Sequence, residues 1–134
     1  MEIRIPLILL PLTFASLTSA ARADEDPAAK ALAQNQADAR EFGIFFGGMA
    51  TQYDLCVKKG FLPKGKQSAE AIAKSILGKM REATPGPDQS AYVQQGWDLV
   101  KREVAKHASD YTREKCSSFV APEWAKMLAT MHAK

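Results

Sequence analysis

"FGIFFGGMATQYDLCVKKG", Phe42 to Gly60, is the stretch on which the fold turns. Phe42, Phe45, Phe46, Met49, Tyr53, Cys56 and Val57 fall at helical spacing, which predicts a helix with one wide buried face. Gly43, Gly47 and Gly48 oppose that reading, because each glycine costs a helix about 1 kcal/mol relative to alanine. Alternatively they let a second helix approach closely. Lys58 and Lys59 suit the negative end of the helix dipole, and Gly60 can take the left-handed conformation that closes a helix.

Outward from this stretch the chain keeps helical punctuation. Upstream, Pro27 opens the alanine-rich "PAAKALAQNQADAR", which has good helix propensity and few large apolar residues. Downstream, Ser68 is a natural N-cap for a second helix reaching Ala83, with Ile72, Ile76, Leu77 and Met80 inward. "TPGPDQ", residues 84–89, then breaks the chain, since Pro85 and Pro87 cannot continue a helix. Asp88 is placed to cap a third helix whose inward face reads Val93, Trp97, Val100, Val104, Ala108 and Tyr111, bent or split if Ser109 caps a fresh turn. A short last helix is expected from Pro122, with Trp124, Met127, Leu128 and Met131 inward. No stretch of useful length alternates as a strand would. The expectation is an all-α, up-down bundle of four helices, or five if the third divides.

The first residues read as an export signal. Arg4 precedes an apolar run from Ile5 to Leu17, and Ala21-Arg22-Ala23 fits the small-x-small rule for cleavage before Asp24. The run is shorter than the roughly 20 residues a membrane span needs, and Pro6 and Pro11 interrupt it. Residues 1–23 are therefore expected to be a signal peptide, and residues 24–134 a single periplasmic domain. Lys and Arg number 18 against 15 Asp and Glu. Without Glu2, Arg4 and Arg22 the balance is 16 to 14, too even for a nucleic-acid binder. Nothing after residue 23 is apolar enough to cross a membrane.

Two cysteines in an exported chain are expected to be oxidised to each other. In an up-down bundle the first and third helices run parallel, so Cys56 and Cys116, read as near their C-terminal ends, share one end of the bundle. A bridge closing a loop of about sixty residues contributes about 4 kcal/mol in the chain-entropy model. A redox role would call for a close pair such as Cys-x-x-Cys, which the chain lacks.

Enzymatic signals are absent from the sequence. His107, with Glu103 one turn before it and Asp110 three residues after, could face a metal, but it reads more simply as a charged, solvated helix face. His132 stands near the C-terminus. Met49 and His107 could serve as haem ligands across a bundle, yet there is no Cys-x-x-Cys-His motif. No Gly-x-Ser-x-Gly elbow or glycine-rich phosphate loop is present. A protein that is not an enzyme, and needs no metal or cofactor, is expected.

"KKGFLPKGK", Lys58 to Lys66, has two readings. Structurally, Gly60 ends a helix and Phe61 or Leu62 packs back over its last turn. As a docking surface, Lys59, Lys64 and Lys66 would rim an apolar Phe61-Leu62 centre, stiffened by the adjacent disulfide. The 84–89 loop is the rival docking element.

"KCSSFVAPEWAKML", Lys115 to Leu128, resembles the C-terminal part of the periplasmic immunity proteins that neutralise type VI secretion amidase effectors. In that family a cysteine, an aromatic residue and an acidic-apolar helix close a small all-α domain. The resemblance implies a disulfide to an earlier helix, a role for Cys56, and a homodimer that caps the active site of a cell-wall amidase. A periplasmic chaperone similar to the acid-stress proteins, or an accessory subunit of an envelope complex, are the competing expectations.

Overall fold

In the computed structural model, which describes residues 26–83 and 86–132, helix α1 (Pro27–Lys58) starts where Asp26 accepts a hydrogen bond from the Ala28 amide at 3.2 Å. The expected leader, Thr84 and Pro85 lie outside the described residues. The chain divides into two compact units, Met1–Gln34 and Asn35–Lys134. Of the first, residues 26–34 are described, and all are exposed. The second unit is an all-α bundle. Beyond α1 it contains α2 (Ala69–Ala83), α3 (Ser90–Lys106) and a 3-10 turn (Ala108–Asp110). A fourth helical run follows, made of α4 (Arg113–Lys115), a π turn (Cys116–Val120) and α5 (Ala121–His132). No strand occurs among the described residues.

The helices alternate in direction. Glu70 of α2 pairs with Lys101 of α3, and Arg81 with Asp88, so these two run antiparallel. Along α1 and α3 the contacts advance together. Arg40 donates to Gln95 at 3.0 Å, Gly48 abuts Val100, and Lys59 reaches the carbonyls of Ala108 and Tyr111. These two helices are parallel, and glycine sets their separation. A Cβ on Gly43 would collide with the Val93 carbonyl, and one on Gly96 with the Arg40 carbonyl. A Cβ on Gly47 would stand 2.9 Å from the Trp97 ring. Gly43 of the opening stretch faces a passing backbone, while Gly47 and Gly48 make room for the Trp97 ring and the Val100 side chain.

Two cores result. Phe46, Ala50, Ala73, Trp97, Trp124 and Met127 belong to the larger, with the half-buried Ile72, Ile76, Leu77, Met80, Leu128 and Met131 packed around it. Cys56, Val104, Tyr111, Cys116 and Val120 form the second.

Three expectations need correction. Phe42 and Phe45 are 46% and 51% exposed, whereas Phe46 is 1% exposed. The buried line of α1 runs through Ala39, Gly43, Phe46 and Ala50, and of the two outer rings Phe42 stacks on Phe46 at a centroid distance of 6.2 Å while Phe45 meets it edge to face at 5.1 Å. Secondly, α3 stops at Lys106, so Ala108 and Tyr111 follow it in a turn and Cys116 is in the fourth helical run rather than at the end of the third. Thirdly, that run begins not at Pro122 but at Arg113, capped by Thr112, whose hydroxyl accepts from the Lys115 amide at 3.2 Å. Proline has no N–H and crowds the carbonyl four residues earlier. The π turn ending at Val120 offsets the hydrogen-bond register just before Pro122 and lets the run pass through it.

Candidate functional site

The 59–66 segment is first a helix terminus. Gly60 has φ +81°, its amide donates to Val57 O at 2.9 Å, and the Phe61 amide donates to Cys56 O at 2.9 Å. That pair of bonds is a Schellman closure, which satisfies two carbonyls the helix leaves open. Phe61 and Leu62 are half-buried against the second core, and the Arg113 guanidinium covers the Phe61 ring at 4.7 Å. Lys59 is committed to the Ala108 and Tyr111 carbonyls, the latter at 3.1 Å. Only Lys64 and Lys66 of the five residues singled out stand exposed without a role in this closure. The apolar pair is a lid over the core rather than a protruding tip.

Cys56 and Cys116 are bonded, with S–S 2.02 Å and Cα–Cα 5.8 Å, and both are fully buried. Around them, burial and secondarily the Asp110 carboxylate push the Tyr111 phenol above its ordinary value of 10.0, and Lys115 Nζ lies 4.4 Å from the Tyr111 ring centroid. His107 is exposed with Nδ1 3.5 Å from Asp110 Oδ2, while Glu103 turns to Lys106 at 3.2 Å. The three do not converge on one point. His132 closes α5, and its side chain lies outside the described set.

At the other end of the bundle α1, α2, α3 and the 86–89 loop leave an open groove of about 690 Å³. Ala39 and Phe42 come from α1, Leu77 and Gly78 from α2, and Val93 and Trp97 from α3. Gly86 and Pro87 of the rival loop also line it, Gly86 at φ +130°. Within the loop, Asp88 Oδ1 accepts from the Ser90 amide at 2.9 Å. That bond, aided by Arg81, holds its carboxyl below the ordinary 3.8. Lys74 and Arg81 stand on the α2 rim, and Asp38 on α1. Trp97 is 2% exposed and its indole N–H has no acceptor among the described residues.

Sequence reasoning placed Trp97, Val93 and Leu77 in the core and did not see that they also floor a groove. The available signal was Phe42 with the 84–89 loop; nothing in the periodicity says that the two meet. No family model, curated protein or solved structure matches this chain.

Proposed function

We propose that the chain is an exported protein-binding domain that works by contact rather than catalysis and meets its partner at the α1–α2–α3 groove. The observation that carries this reading is a mainly apolar groove lined by the exposed Phe42, with a charged rim. An apolar centre with a polar edge is how protein interfaces are built. The 59–66 segment is a weaker contender, because its apolar residues are already used inside the fold. The likeness of Lys115–Leu128 to amidase immunity proteins supports a narrower form of the same reading, in which the partner is a secreted cell-wall amidase and binding inhibits it.

Gly78 provides the test. It lines the groove, and a Cβ there meets nothing within 4 Å. Gly78→Leu therefore adds bulk to the groove from a Cβ that crowds no neighbour. A photo-cross-linking residue replacing Leu77 or Lys64 identifies the partner, and calorimetry with that purified partner measures affinity. Cross-linking from position 77, with affinity lost in Gly78→Leu, is expected. Cross-linking from position 64 alone, with full affinity in Gly78→Leu, refutes the groove. For the narrower form, the identified partner should hydrolyse peptidoglycan and be inhibited stoichiometrically by this protein.

A further inference from the structure

We propose, building on the groove reading above, that the occupant is an amphipathic helix of the partner with acidic residues two turns apart along one flank. Lys74 and Arg81 carry the argument. They are seven residues apart on α2, two helical turns, so their backbone positions repeat about 10.5 Å apart along the helix axis on one rim. Their side chains are 49% and 57% exposed, and their carboxylate partners, Glu70 at 3.4 Å and Asp88 at 3.6 Å, form surface pairs, while Lys74 Nζ also lies 5.4 Å from the Trp97 ring centroid. Such pairs contribute little, so a partner carboxylate can share or displace them at small cost. Among the lining residues both cations stand on α2 and the carboxylate, Asp38, stands on α1, which sets the orientation.

The floor fits the same occupant. Leu77, Val93, Phe42 and Trp97 offer an apolar surface drawn from three helices. The groove is open to solvent, whereas small-molecule sites bury most of their ligand. A helix laid in a groove uses apolar anchors at i, i+3 or i+4, and i+7, the same two-turn span that separates the cations. Trp97 lines the groove while its indole N–H is buried with no acceptor among the described residues, and buried donors of this kind are uncommon in finished structures. Its NMR signal reports on the floor from beneath.

The oxidised protein is titrated with an 18-residue synthetic peptide helix carrying leucines at i, i+3 and i+7 and glutamates at two positions seven apart on one flank. An isomer with the glutamates on the opposite flank, a version with lysines in their place, and oleate are the comparison probes. The acidic peptide should bind saturably, shift the Trp97 indole cross-peak, and bind about tenfold tighter than either peptide control. The preference should weaken with salt. In Lys74→Glu/Arg81→Glu it should reverse towards the lysine peptide. Equal binding of all three peptides overturns the proposal, as does saturable oleate binding without peptide binding. A concentration-dependent dimer abolished by Gly78→Leu also overturns it, in favour of a second copy. If Gly78→Leu loses the cross-linked partner but no acidic preference exists, this inference fails and the groove reading stands. If Gly78→Leu binds that partner normally, both fail.

Discussion

Gly43 and Gly96 each present a hydrogen to a carbonyl of the facing helix, where any other residue would present a carbon. Alanine at either position must push α1 and α3 apart, and overpacking of this kind costs about 3 kcal/mol. Because both glycines relieve one contact, the double variant should cost less than the sum of the singles. Gly78→Ala should do the opposite. Its Cβ enters open space within a helix, so alanine should stabilise by about 0.5–1 kcal/mol. Urea denaturation of the variants measures all four effects, and a neutral Gly43→Ala would refute the close approach. The opening stretch already carried half of this, since three glycines in an aromatic helix demand a reason. Gly96 was silent because its reason is Arg40, more than fifty residues away. Phe42 and Phe45 misled for a related cause: helical spacing names a face but not how far the neighbours cover its edge. At Phe61 the same uncertainty left docking and packing both open, and the structure shows packing. Phe61→Ser/Leu62→Ser should therefore lower the melting temperature and leave the affinity of the folded protein for its partner unchanged; weaker binding at unchanged stability would restore the segment as an interface.

The start of α2 shows which capping signals a chain can reveal locally. Ser68 was legible because its hydroxyl serves Ala71, three residues on, at 3.1 Å. Asp54 was not, yet its two carboxylate oxygens accept from the Ala69 and Glu70 amides at 2.8 and 3.0 Å, across fifteen residues of chain. Together they satisfy three amides that a helix leaves open, and Asp54 ties α2 to α1. Asp54→Ala should cost about 1–2 kcal/mol in chemical denaturation, with Ser68→Ala nearer 1. Asp88 does comparable work beside α3 at the protein surface. Its folded pKa lies below the ordinary 3.8, so its contribution is complete above that value and disappears as pH falls through the folded pKa. The melting temperature of Asp88→Ala should accordingly lie below that of the parent at neutral pH, and the gap should close on acidification. A gap that stays constant to the acid limit would mean that the bond from the Ser90 amide to this carboxylate contributes nothing. The fourth helical run was legible in its apolar face but not in its start. Pro122 looks like an opening residue, and only a π turn, a backbone event without a side-chain signature, lets the helix precede it.

Across the whole second unit, the two cores place different demands on the chain. The groove-side core depends on the glycine crossing and on Trp97, Trp124 and Met127, while the small second core surrounds the one disulfide. Up-down topology was enough to bring Cys56 and Cys116 to one end, even though Cys116 belongs to the fourth helical run rather than the third. The expectation survived because the third helix ends, and the fourth begins, at that same end. It follows that the bridge acts on the unfolded ensemble and on one end of the bundle more than on the groove. Removing it through Cys56→Ala/Cys116→Ala should lower global stability by about 4 kcal/mol or less, the upper figure applying when the unfolded chain is without residual structure. Hydrogen exchange should lose protection first at Val104 and through the 108–120 region, where the second core is thin. Amides of α1 and α3 around Gly43, Gly47 and Trp97 should open only with the global transition. Peptide binding at the groove should then persist in the bridge-free protein under conditions where it remains folded. Simultaneous loss of protection at both ends would mean a single cooperative core and would defeat this division of labour. Protection lost first around Trp97 would mean that the groove, not the disulfide end, is the weaker half.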